Sequence, residues 1–257
     1  MLRFKNLGSG STGNCTVIEV PGQPATRVLV DCGLGIRNLA NRLGEAGLQV
    51  SDIDAIFITH EHSDHIGCAR QVALRNRIPL WMSEGTYAGI RNPDLDGLLR
   101  VAGDGEAIDL GGLQITPFAV PHDAQEPLQL TCTDGSAKLG VLTDLGHATA
   151  HVIAHLQGCN AIILECNHDT DLLASSAYPW FLKNRISGEL GHLSNAAAAD
   201  IVRAVCHPGL QYIVAAHLSQ QNNRPELAQD VVALARGCSS SEIVVASPVA
   251  GTPWLQL

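Results

Sequence analysis

Short apolar runs separated by Gly, Asp and Pro fill the first half of the chain, while longer helical periodicities dominate the second. Residues 3–7, 15–20 and 27–30 have the character of strands, and apolar positions at helical spacing over 36–46 follow them. A strand is expected at 53–58, feeding the polar segment His60-Glu61-His62-Ser63-Asp64-His65 and then a helix beginning near Ile66. Strand signals recur at 80–82, 99–101, 113–120, 128–133 and 139–142, and again at 161–165, 212–216 and 242–246. Helical runs at 148–156, 178–184, 195–205 and 225–236 lie among the later strands, with Ser194 and Asn223 as expected caps. Two β-rich stretches that each end in helices predict an α/β, four-layer αββα sandwich, its two sheets face to face and its helices outside. A ligand site is expected at one edge of the two sheets, beyond the strand ends.

At 257 residues, with 46% hydrophobic and 16% charged, the chain has ample material for a buried core and nothing of a disordered composition. No Pro/Ser-rich linker, charge block or internal repeat divides it, so residues 1–257 are read as one domain. The net charge of -9 argues against a generally basic nucleic-acid surface. Bound divalent cations would reverse the sign inside a site. Eight scattered cysteines without Cys-x-x-Cys spacing, and a start without an apolar signal region, fit a reducing, cytoplasmic setting. Most of these thiols, Cys206 after Ala204-Val205 among them, read as small buried hydrophobes. No apolar run approaches the ~18 residues that would span a membrane.

The chemistry concentrates at His60–His65, where four of six residues are metal-ligand types set too close for a single tetrahedral ion. Imidazole and carboxylate bind Zn-like ions at about 2.0–2.2 Å. Residues two apart on an extended segment point the same way, so His60 and His62 can grip one ion. Asp64 and His65, where the chain turns, reach a second, and such paired ions lie about 3.5–4 Å apart. A solvated polar turn does not account for this density of ligands. A two-metal site needs further His or Asp residues at strand ends, and His122, Asp144 and His217 meet that test; each taken alone reads equally well as an ordinary loop residue.

In order, Asp31, Thr59-His60-Glu61-His62-Ser63-Asp64-His65, His122, Asp144 and His217 resemble the metallo-β-lactamase superfamily over nearly the whole chain. The resemblance implies His60, His62 and His122 on one ion, Asp64, His65 and His217 on the other, and Asp144 bridging both with a hydroxide. It implies that Asp31 orients the histidines without ligating. Gly-Ser-Gly-Ser-Thr-Gly-Asn-Cys near the start, Glu165-Cys166-Asn167-His168-Asp169, Arg185-Ile186-Ser187-Gly188, Gly191-His192-Leu193-Ser194-Asn195 and His217-Leu218-Ser219 resemble the YycJ/WalJ-type nucleases more narrowly. The parallel with the tRNA 3′-processing branch assigns Glu165 and His192 a proton-donating role, although the local string here reads His-Leu-Ser. Asp64, Glu165 and His192 are thus the expected catalytic residues, and Ser11, Asn14, His168 and Ser219 the expected substrate contacts. A phosphodiester's alkoxide is a poor leaving group, so an imidazole held by a carboxylate has a task there. A strand-end carboxylate in a salt bridge and a capping loop histidine are the competing readings of the pair.

His147, His151 and His155 line one helical face, but no Glu or Asp is expected to accompany them in the required geometry, and a solvated face is the expected reading. The favoured function is a two-metal phosphodiesterase acting on nucleic acid, DNA before RNA, from an end, with Lys183, Arg185 and Arg224 as a sparse basic rim. Two divalent ions, Zn, Mn or Fe, are implied; His and Asp ligands do not choose among them. No membrane association is expected, and the sequence identifies no protein partner and no oligomeric state. Hydrolysis of a small lactone, thioester or lactam, and a metal-binding module without turnover, are the alternatives.

Overall fold

The computed structural model describes residues 1–257. Its first sheet, in the order β14-β1-β2-β3-β4-β5-β6, is built from β1 (Arg3–Gly8), β2 (Cys15–Val20), β3 (Thr26–Val30), β4 (Ala55–Phe57), β5 (Leu80–Met82), β6 (Leu99–Val101) and the last strand, β14 (Leu255–Gln256). The second, in the order β13-β12-β11-β10-β9-β8-β7, contains β7 (Ile108–Asp109), β8 (Gln114–Ala119), β9 (Leu128–Thr133), β10 (Lys138–Leu142), β11 (Ala161–Glu165), β12 (Tyr212–Ala216) and β13 (Val244–Val245). Helices α1 (Ile36–Glu45), α2 (Ser63–Ile66), α3 (Ala69–Asn76) and α4 (Glu84–Gly89) belong to the first half. Those of the second half are α5 (Ala150–Leu156), α6 (Thr170–Ser175), α7 (Trp180–Ile186), α8 (Asn195–Val205) and α9 (Pro225–Arg236).

Strands buried on both faces alternate between two cores. In β3, Val28 and Val30 join Phe4, Ile115, Leu130 and Val214 between the sheets, while Leu29 turns outward to Leu39 and Leu43 of α1. In β11, Ile163 lies between the sheets and Ile162 and Leu164 face Val202 of α8 and Val232 of α9. Three apolar layers therefore separate four layers of secondary structure, the expected αββα order. Strand β14 pairs antiparallel with β1 (Phe4↔Leu255), which places both ends of the chain in one sheet.

Most expected elements are present within two residues. The helix expected near Ile66 begins at Ser63, inside the histidine segment, so Asp64 and His65 are helical. Ser194 caps α8 by accepting from the Ala197 amide. Asn223 does not cap α9; its side chain bonds Cys166 and Asn195 instead, and Arg224 takes the cap position. Six of the eight cysteines are buried and none is paired, but Cys206 is exposed, because it lies just past the end of α8. No helix is long and apolar enough to cross a membrane.

Candidate active site

Three strand ends aim their last side chains at one rim by adopting left-handed backbone: Asp31 after β3 (φ 60°), Asp144 after β10 (φ 57°) and His217 after β12 (φ 55°). Such a conformation costs a non-glycine residue on the order of 1 kcal/mol, and it persists where the surroundings over-determine it. The turn after β4 and the start of α2 bring the histidine segment to the same rim.

His60, His62 and His122 form one convergent group, and Asp64, His65 and His217 another; within each, the possible ligand atoms lie within 4.8 Å of one another. Asp144 sits between them, with Oδ2 at 2.6 Å from His65 Nε2 and Oδ1 at 3.1 Å from His217 Nδ1. Hydrogen bonds on the outer nitrogens assign the tautomers. His65 Nδ1 donates to Asp31 (2.7 Å), His122 Nδ1 to the Gly191 carbonyl (3.0 Å) and His217 Nδ1 to Glu165 (2.9 Å). His60 Nδ1 donates to the Thr59 hydroxyl (3.0 Å), which itself donates to Asp31. The inner nitrogens are left facing one another: His60 Nε2 is 3.1 Å from His62 Nδ1, which is 3.4 Å from His122 Nε2. His217 Nε2 is buried 3.5 Å from Asp64 and makes no hydrogen bond, and Asp144 Oδ2 is buried with only His65 Nε2 against it. Unpaired buried polar atoms cost about 1–3 kcal/mol each, and facing lone pairs repel, so a cation fits what the protein leaves unsatisfied. The donor set is nitrogen and oxygen only, as suits Zn, Mn or Fe.

The titration behaviour of the protein alone agrees. Burial pushes His60 and His122 below the ordinary imidazole value, leaving neutral ligands. Burial also works against charge on His65 and His217, but Asp144 and the neighbouring carboxylates overcome it, holding His65 well above its ordinary value and His217 up at about 9. Asp144 is buried, yet His217 and His65 keep it well below the carboxylate range. Protons on imidazole here balance carboxylates, and metal binding would release them.

Beside Asp144 lies the second feature. Glu165, at the end of β11, is fully buried; its Oε1 accepts from His192 Nδ1 (2.8 Å) and His217 Nδ1 (2.9 Å), its Oε2 from the Leu145 and Leu193 amides. Burial opposes its charge, but His192 and His217 hold it at about 2. Burial likewise opposes charge on His192, and Glu165 and Asp144 overcome it, raising the imidazole to about 11. His192 Nε2 has no protein partner, and the ring lines a cavity of about 340 Å³ with His62, Asp64, Asp144 and His217.

Ser11 and Ser219 line that cavity, whereas Asn14 and His168 do not. Asn14 is buried behind the ligands, bonding His65 Nε2 (3.1 Å) and Asp64, so it shapes the site rather than facing a substrate. His168 is buried, with its backbone in a bridge to Ser194. Arg185 lines the cavity, while Lys183 and Arg224 do not; Arg224 donates to the Asn223 carbonyl. Asp104, far along the chain, does accompany His151 (2.8 Å) and His155, which corrects the expectation that no acid joins that face; the group is largely exposed and apart from the cavity. The sequence reading assigns no role to three residues at the site. Thr59 joins Asp31 to His60, Asp123 lies 3.4 Å from His122 Nε2 and pairs with Arg185 (2.7 Å), and Tyr178 lines the cavity. Thr59 and Asp123 adjoin named histidines, which was the available signal.

A model of the beta-lactamase superfamily domain matches residues 26–217. The chain is 33% identical to an exodeoxyribonuclease YycJ of Bacillus anthracis over 89% of its length and 86% of the relative's. It is 32% identical to an exodeoxyribonuclease WalJ of Streptococcus pneumoniae over 88% and 85%. The metallo-beta-lactamase fold protein YhfI from Bacillus subtilis superposes with a TM-score of 0.75 at 14% identity over the full length of both chains, a likeness of fold. With the same αββα layers, a rim of convergent histidines and aspartates, and these relatives, the chain belongs to the metallo-β-lactamase superfamily of metal-dependent hydrolases.

Proposed function

We propose that this protein is a two-metal phosphodiesterase that degrades DNA from an end, working as one catalytic domain. The observation that carries the reading is the His192–Glu165 pair, set against Asp144 and opening on the same cavity as both ligand groups. Relatives named exodeoxyribonucleases, matched over most of both chains, support the substrate. His60, His62 and His122 would hold one divalent ion and Asp64, His65 and His217 the other, with Asp144 shared. Ions there supply Lewis acidity and lower the pKa of bound water.

The chain's own residues do the rest. Asp31, Thr59, Gly191 and Glu165 fix the ligand rings by accepting their outer protons. Glu165 also keeps His192 protonated, with Nδ1 committed to the carboxylate and Nε2–H presented to the cavity. From there His192 hands its proton to the departing sugar oxygen, a contribution of about 10²–10⁴-fold.

His192→Ala is the cleaner test, because Glu165 also supports the ligand His217. It should slow DNA hydrolysis about 10²–10³-fold and affect a p-nitrophenyl phosphodiester, whose leaving group needs no proton, far less. Equal losses on both substrates, or a loss confined to lactones and thioesters, would overturn the reading. Elemental analysis of active protein should show two ions at this cavity, and chelation should abolish turnover.

A further inference from the structure

Of the four phenylalanines, Phe4, Phe57 and Phe118 are in the core, while Phe181 is 68% exposed. Trp180 beside it is 77% exposed, and Trp81 and Trp254 are partly buried. Both exposed rings lie on α7, which has no buried residue; Tyr178 just before it, Leu182 and Arg185 form one wall of the catalytic cavity, and the rings lie outside that wall, Phe181 one turn from Arg185 and Trp180 farther round the helix. Its end is anchored to the chemistry: the His192 amide donates to the Ile186 carbonyl (2.8 Å) and the Asp123 amide to that of Leu190 (3.0 Å). Phe181 and Arg185 are four residues apart and Trp180 and Lys183 three, so each ring has a cation beside it on the helix surface. Arg185 uses only Nε, on Asp123, and its two terminal amino groups make no hydrogen bond. Lys183 gives one proton to the Ala174 carbonyl.

We propose that Tyr178–Arg185 is a stacking platform for unpaired nucleobases, Phe181 with Arg185 receiving the nucleotide at the cleaved bond and Trp180 with Lys183 the next one outward. Bases inside a duplex have both faces covered, so rings placed here select a single-stranded or frayed end. Aromatic rings interleaved with cations are how single strands are held without sequence preference. The occupant is not another protein surface: two rings bury about 150–250 Å² each, well short of the ~800 Å² per partner of a stable interface. The proposal rests on the phosphodiesterase reading and deepens it by naming the form of the substrate.

The test compares a single-stranded oligonucleotide with the same backbone carrying abasic residues at both ends, using the full-length chain loaded with Mn(II). The base-bearing strand should have a KM about a hundredfold lower, about tenfold for each stacked base. Phe181→Ala, Phe181→Leu and Trp180→Ala should each raise that KM by about tenfold, leave kcat unchanged and leave the abasic strand unaffected. Variants that keep the full preference for bases would overturn the platform, as would a dimer in sedimentation that Phe181→Ala dissociates. If the wild type cleaves neither strand, nor duplex DNA, nor a p-nitrophenyl phosphodiester, the phosphodiesterase reading fails. The platform is then still decided by Trp180 emission: quenching by the base-bearing strand alone, lost in Trp180→Phe, supports it, and no quenching overturns it.

Discussion

Glu165 carries four hydrogen bonds on two oxygens in a place without solvent, and its charge is therefore a property of its partners. Held at about 2 against an ordinary 4.5, the carboxylate stabilises the fold fully above its ordinary value and loses that contribution as pH falls toward about 2. Glu165→Gln keeps the shape of the protonated acid. Its melting temperature should lie several degrees below the wild type's at neutral pH, and the gap should close as pH falls below about 4. A gap that stays constant with pH would show that Glu165 is not ionised in the fold. That Glu165, His192 and the seven expected ligand positions gather at one rim was legible because His, Asp and Glu at strand ends are conspicuous. That Asn14 and His168 are buried and off the cavity wall was not legible, because a string of polar residues does not reveal which way its loop turns.

At the scale of elements, the site depends on close backbone approach more than on side-chain packing. Gly33, just past β3, lies so near the first turn of α2 that an added Cβ would overlap the Asp64 carbonyl, and the Asn14 amide donates to that same carbonyl (2.8 Å). Gly33→Ala must push α2 away from β3, and with it Asp64 and His65. We expect a melting temperature lowered by about 3–10 °C and a protein that retains less than its full metal, read by calorimetry and elemental analysis. Gly44, near the end of α1, has nothing within 4 Å, so Gly44→Ala should instead raise the melting temperature by about 1–4 °C without touching metal content. Equal behaviour of the two variants would sink the argument. Strands such as β2 and β9 were readable to the residue because Asn14 and Pro21 bound the one and Pro127 and Asp134 the other. The start of α2 was not, because its four residues carry ligands in place of an apolar stripe.

Over the whole molecule, layer order follows from the alternation of apolar residues, but the pairing of β14 with β1 and the meeting of Asp104 with His151 join positions too distant for any local pattern to connect. Charge is likewise global. At a net -9 the chain repels a polyanion, and the cavity wall offers only Arg185, whose Nε is already on Asp123, with Lys183 beside it, to offset that. Each single-strand phosphate neutralised contributes about -0.7 to the slope of log affinity against log salt, so two contacts predict a slope near -1.4, far shallower than that of a basic-groove nuclease. Measured as 1/KM for an oligonucleotide between low and physiological NaCl at fixed metal, a slope steeper than about -4 would require a phosphate-binding surface elsewhere on the protein. The shallow slope has a mechanistic consequence. An enzyme that grips only the terminal nucleotides, by metal, one arginine and two rings, has no electrostatic rail to slide along, so it should release DNA after each cut and degrade a labelled population evenly rather than molecule by molecule.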